Sequence, residues 1–135
     1  LQSDSHLYMV LDLARRGDLR HSLRASPNAR FSEKTAMHIF RQLLEALHCC
    51  HVQSILHRDI KPENILMTDT GLVKLSDFGV AKILPDLQDC RSTSGTHGYM
   101  APEIYVGNHS HGTPSEWFSA GVTLHELLTG RRPFE

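Results

Sequence analysis

The run His57-Arg58-Asp59-Ile60-Lys61-Pro62-Glu63-Asn64 places a carboxylate, a cation and a carboxamide within a few residues, and a second carboxylate follows in Asp77-Phe78-Gly79. A carboxylate such as Asp59 can orient a hydroxyl and accept its proton. Asn64 offers a neutral oxygen and Asp77 an anionic one, the hard donors that suit Mg2+. A base and metal-binding oxygens fit transfer of a phosphoryl group, where catalysis is mostly positioning and charge stabilisation. Pro62 has no N–H and a fixed φ, so this stretch reads as a stiff loop rather than a helix. Either triplet alone is a weak signal. Their order and spacing, with a pair of short strands between them, make a strong one.

The strands are Ile65-Leu66-Met67 and Leu72 to Leu75, joined by the turn Asp69-Thr70-Gly71. Upstream, Ser32 is expected to cap a long helix whose apolar stripe is Ala36, Ile39, Phe40, Leu43, Leu44 and Leu47. Asp18 caps a shorter helix running through Leu19 and Leu23. The apolar run His6 to Leu13 reads as a buried strand. From Lys82 to Gly112 the chain reads as irregular and polar, apart from an apolar patch around Tyr99 to Val106. Thr113 opens a final helix with Pro114 at its first position, and Gly130 stops it. Trp117, Ala120, Gly121, Leu124 and Leu128 are expected on its buried face. The fold class is α+β, mainly α, with short β-hairpins around the loops that carry the chemistry.

Composition sets outer bounds. At 135 residues the chain is one domain or part of one. A net charge of −1 gives no basic surface for nucleic acid or an anionic membrane. No apolar run approaches a membrane span, and the three cysteines, two of them adjacent, make a poor disulfide framework. An intracellular, cytoplasmic setting is the expectation. His48-Cys49-Cys50-His51 invites a zinc reading, but structural zinc sites want two separated ligand pairs. A helix running into the catalytic segment is the better account.

His57-Arg58-Asp59 with Asn64, then Asp77-Phe78-Gly79, Gly95-Thr96 and Ala101-Pro102-Glu103, resemble the eukaryotic protein kinase catalytic domain. Lys61 is similar to the serine/threonine class, and His6 to Leu13 to the hinge strand of the AGC or calmodulin-dependent groups. The resemblance implies residues 1–14 as hinge strand and hinge, and 15–135 as a partial C-lobe. It implies Asp59 as base, Lys61 at the transferring phosphate, and Thr96 bracing both. Asn64 and Asp77 would hold Mg2+. The adenine of ATP would meet the backbone of Asp12 to Ala14, Asp18 would lie near the ribose, and Glu63 and Leu66 would be among the other residues that bind the cofactor. Asp18, Glu63 and Glu126 would read basic residues flanking the Ser or Thr of a protein substrate. Each also has a plain structural reading: helix cap, loop charge and solvated helix charge. Arg58 and Lys82 would bind a phosphate placed on Ser92 or Thr93 by an activating kinase.

Two departures stand out. Glu116 occupies the place where the family carries an Asp that hydrogen-bonds the His-Arg-Asp backbone, and Thr113-Pro114-Ser115-Glu116 also reads as a capping box. One carboxylate cannot easily do both. The other departure is that these residues include no glycine-rich loop, no strand lysine and no regulatory-helix Glu, and both ends look like cuts through a larger fold. The isolated 135 residues are therefore expected to be inactive. A kinase-derived binding scaffold and a small-molecule phosphotransferase are the alternative readings.

Overall fold

A computed structural model describes residues 5–6, 8–85, 90, 93–105 and 111–134. The expectations placed on Leu7 and Ser92 lie outside the described residues. Among the described residues four α-helices appear in chain order: α1 (Leu19–Ala25), α2 (Glu33–Val52), α3 (Pro102–Tyr105) and α4 (Thr113–Thr129). Between α2 and α3 come β1 (Ile55–Leu56), β2 (Ile65–Met67), β3 (Val73–Leu75) and β4 (Lys82–Ile83).

The helix ends follow local chemistry. Asp18 accepts from the His21 N–H at 2.7 Å, and Ser32 Oγ from the Thr35 N–H at 3.2 Å, each satisfying a donor at a helix start. Gly130 ends α4 in the left-handed region at φ 79° and donates to Glu126 O at 2.8 Å. The β2–β3 hairpin forms in the expected register, with Ile65 opposite Leu75 and Met67 opposite Val73. β1 pairs antiparallel with β4, Leu56 opposite Lys82.

The core is built where α2 crosses α4. Ala36, Ile39, Leu43 and Leu47 of α2 bury against Leu19 and Leu23, Ile60 and Ile65, and Ala120 and Leu127. Phe40 and Leu44 pack partly against this cluster. Each fully buried Leu contributes about 1.5–3 kcal/mol of transfer free energy. That stripe is what holds the loop between β1 and β2 on its helical floor.

Three expectations need correcting. Residues 8–13 form no strand: Met9, Val10, Leu11 and Leu13 are exposed, since no neighbouring strand among the described residues offers them a hydrogen-bonded ladder. The stretch from Lys82 to Gly112 is not wholly irregular, because it contains β4 and α3. The buried face of α4 is only in part the expected one: Ala120 is buried, and Leu124 and Leu128 pack partly against the core. Trp117 is 40% exposed and Gly121 is exposed, while Ser115, Glu116, Ser119, Thr123 and Glu126 are buried beside Ala120 and Leu127. Glu116, Ser119 and Glu126 find hydrogen-bond partners there in Arg58 and His51, in Tyr99 O and in Arg20, whereas the buried Thr123 hydroxyl meets none among the described residues.

Gly130 and Gly121 make a paired test of this backbone. A Cβ at Gly130 would stand 2.8 Å from Ala29 O and in a left-handed conformation, whereas one at Gly121 meets nothing within 4 Å. Gly130→Ala should lower stability by about 1–3 kcal/mol. Gly121→Ala, mid-helix, should raise it by about 0.5–1 kcal/mol. Thermal unfolding of the two variants reads both signs.

Candidate active site

The segment from Leu56 to Asn64 leaves β1 as a loop whose backbone is set by a buried carboxylate. Arg58 has φ 69°, a conformation a side chain rarely adopts. Its N–H donates to Glu116 Oε1 at 2.6 Å, and Glu116 Oε2 meets His51 Nε2 of α2 at 2.6 Å. Glu116 is only 4% exposed, and the Trp117 ring stands edge-on to His51. This decides between the two readings of Glu116: its oxygens go to Arg58 and His51, and the cap residue of α4 is Gly112. The extra methylene still reaches the loop.

His57 ties this loop to the segment carrying Asp77. It is fully buried, with Nε2 2.8 Å from Ser76 O and Nδ1 accepting from the Asp59 N–H at 3.3 Å. A carbonyl can only accept, so the proton sits on Nε2. Ser76 in turn donates through its N–H and hydroxyl to Asn64 O, at 2.9 and 3.0 Å. The Phe78 ring packs edge-on against His57, and Asp77 sits at φ 60° with its carboxylate accepting from the Gly79 N–H.

Four expected residues converge on one point. The Thr96 hydroxyl donates to Asp59 Oδ1 at 2.7 Å, while Lys61 Nζ reaches Asp59 Oδ2 at 2.7 Å and Thr96 Oγ1 at 2.6 Å. Asn64 Nδ2 donates to both Asp59 Oδ2 (2.9 Å) and Asp59 O (2.8 Å). Burial acts to raise the Asp59 pKa, but hydrogen bonds from Lys61 and Thr96, the Lys61 charge and the Asn64 bond outweigh it and hold the carboxyl below its ordinary range. The carboxylate is therefore ionised at neutral pH, as an acceptor of a proton in transit must be. Asn64 makes both bonds to Asp59 through its amide nitrogen, so its side-chain oxygen is not used in them and could serve as a donor to a cation. Together with the Asp77 carboxylate this is an all-oxygen donor set, the kind that fits Mg2+.

A cavity of about 610 Å3 opens beside Asp77, lined by Met9, Leu11, Asp12, Leu66, Leu75 and Phe78 among others. Leu66 and Asp12 both border it. Asp12 also pairs with Lys74 at 2.7 Å, which lowers its pKa. Ala14 O accepts from the Gly17 N–H, and Asp18 is placed as the cap of α1, bridged through its backbone to Leu66.

Glu63 and Glu126 come together around Arg20, a residue with no sequence signal to mark it. Arg20 Nε donates to Glu63 Oε1 at 2.8 Å, and its Nη1 and Nη2 reach Glu126 at 2.6 and 3.1 Å. The Tyr99 hydroxyl joins both Glu126 and Arg20. Burial and the neighbouring Glu126 push the Tyr99 pKa well up. The Glu126 side chain is 5% exposed and that of Glu63 is 42% exposed. Glu126 is thus no solvated helix charge. The Arg58 side chain donates to Val80 O, and its Nη1 lies 3.7 Å from Cys90 Sγ. Lys82 and Thr93 are exposed.

His51 and Tyr99 also escaped the motif reading. His51 sat in the run considered for zinc, where consecutive helix positions point around the axis; its partner Glu116 is 65 residues away.

Glu116→Ala should leave the Arg58 N–H unsatisfied and cost about 1–3 kcal/mol, whereas Glu116→Gln, which still offers one acceptor, should lose less. Denaturant midpoints of the two variants rank them.

A family profile described as protein kinase domain matches residues 1–135. "Developmentally-regulated protein kinase 1" of Dictyostelium discoideum is 40% identical over 128 residues, covering 95% of this chain and 18% of the relative. "CBL-interacting protein kinase 4" of Oryza sativa subsp. japonica is 38% identical over 138 aligned residues, covering 100% of this chain and 30% of the relative. "Serine/threonine-protein kinase 32C" of Mus musculus is 39% identical over 138, covering 99% and 28%. The chain spans well under half the length of each of these relatives. A profile match along the whole chain, over a loop in which Asp59, Lys61, Asn64 and Thr96 converge, places the chain in the protein kinase domain family, of the serine/threonine type.

Proposed function

We propose that these residues form the floor of an active site that transfers the γ-phosphate of ATP to Ser or Thr of protein substrates. Residues 1–14 would act as the hinge segment, with no strand over residues 8–13, and 15–135 as part of a C-lobe. The observation that carries this reading is the closed triangle of Asp59, Lys61 and Thr96, all three sides 2.6–2.7 Å. In it the Asp59 carboxylate is fixed and ionised, ready to orient the acceptor hydroxyl and take its proton. Lys61 offers positive charge where the transferring group arrives, and Thr96 keeps the two registered. Asn64 and Asp77 would hold Mg2+, which supplies neutralisation of phosphate charge when bound. Leu66 and the backbone of Asp12 to Ala14 would receive the adenine.

A preference for basic residues beside the phosphoacceptor rests on Glu63 as the outward acid, with Asp18 half-buried at the cap of α1 and Glu126 behind Glu63 on Arg20. These 135 residues contain no glycine-rich loop to clamp phosphates from above, and half a cleft gives little positioning. In the full-length protein, Asp59→Asn should lower turnover on a basic Ser peptide by about a thousandfold or more while leaving the KM for ATP within a few-fold. The isolated residues 1–135 should transfer nothing measurable. Undiminished turnover in the Asn variant would end the assignment.

Arg58 also fits a switch. Its guanidinium now rests on Val80 O and near Cys90, within reach of the segment holding Thr93. A phosphate on Ser92 or Thr93 would draw it into charge-assisted hydrogen bonds and order that segment. Mass spectrometry of the active full-length protein should find one of the two modified, and replacing both with Ala should cut activity. An active enzyme that is unmodified there excludes the switch.

A further inference from the structure

The turn that closes α4 aims one arginine at the catalytic segment. Gly130 turns the chain, and Arg131 O is met by Thr129 Oγ1 at 2.9 Å and by His125 Nδ1 at 3.0 Å. This fixes the direction of Arg132. Its Nη1 donates to His97 O at 3.1 Å, and its guanidinium carbon stands 5.8 Å from the centre of the Tyr99 ring, within cation–π range. Between them lies Gly98, at φ +87°, where a Cβ would stand 2.3 Å from Arg132 Nη1. Three successive residues are therefore shaped around one guanidinium. The segment they form begins at Thr96, and the Tyr99 N–H donates back to Thr96 O at 3.1 Å, closing it as a turn. Ser119 Oγ holds the far side through Tyr99 O at 2.8 Å.

We propose that Arg132 is a positioning residue for phosphoryl transfer, setting the turn 96–99 so that Thr96 stays on Asp59 and Lys61 while the turn meets the substrate peptide. The inference rests on the kinase reading. A planar fork that donates and stacks at once explains why arginine suits this place, since a lysine ammonium keeps the charge but loses the shape. Gly98 belongs to the same device: without a side chain it lets the guanidinium lie against the turn.

Steady-state kinetics of the full-length protein on a Ser peptide test this, with Arg132→Met, Arg132→Lys, Gly98→Ala and the Met/Ala double variant. Arg132→Met should lower kcat/KM for the peptide about tenfold, leave the KM for ATP within about twofold, and shift Tm by only a few degrees. Lysine should restore part of the loss. Gly98→Ala should reproduce it, and the double variant should be no worse than the worse single one, because both changes remove the same contact. Wild-type peptide kinetics in Arg132→Met, strict additivity, or losses on peptide and ATP that track Tm alike would each overturn the proposal. A wild-type protein that transfers phosphate to no Ser or Thr peptide would instead overturn the kinase reading beneath it.

Discussion

One buried carboxylate organises the molecule. Glu116 touches the backbone of the catalytic loop with one oxygen and α2 with the other, so the loop, the long helix and α4 are joined at a single group. The left-handed backbone at Arg58 is unfavourable in isolation and persists because this acceptor holds its N–H. The residues on either side share that direction: Asp59 turns toward Lys61 and Thr96, and His57 toward Ser76. An anion with two well-placed donors is affordable in the interior, whereas one without them is not.

The fold was legible where elements are short-range and periodic. Ser32, the α2 stripe, the β2–β3 turn and the Pro114 and Gly130 limits of α4 follow from spacing alone, because each depends on neighbours within a few residues. The run before residue 14 misled for the opposite reason: a strand exists only with a partner, and apolar β-formers do not say where the partner is. The α4 face misled because apolar periodicity assumes that the buried side is apolar. In this helix the interior side carries Ser115, Glu116, Ser119, Thr123 and Glu126, and the exposed side includes Trp117.

The candidate site divides along the same line. Asp59, Lys61, Asn64 and Asp77 lie close in sequence and announce themselves by spacing. Thr96 needed the family resemblance, since 35 residues separate it from Lys61. Arg20 gave no signal, Tyr99 only a place in an apolar patch, and His51 only a zinc reading that did not lead to Glu116. Arg20 meets Glu126 across 106 positions, and no local pattern encodes a contact of that length. Roles in chemistry were legible, while the scaffolding that orients them had to be seen in three dimensions.

The arginine lodged between Glu63 and Glu126 changes how selectivity for a basic peptide would work. A tethered side chain faces its acids at an effective concentration that a dissolved peptide seldom matches. On the kinase reading, an incoming cation therefore enters a site with a resident occupant, and it either shares the outward oxygen of Glu63 or displaces Arg20 from that residue. Discrimination then becomes an exchange between two guanidinium groups rather than the filling of an empty acidic pocket.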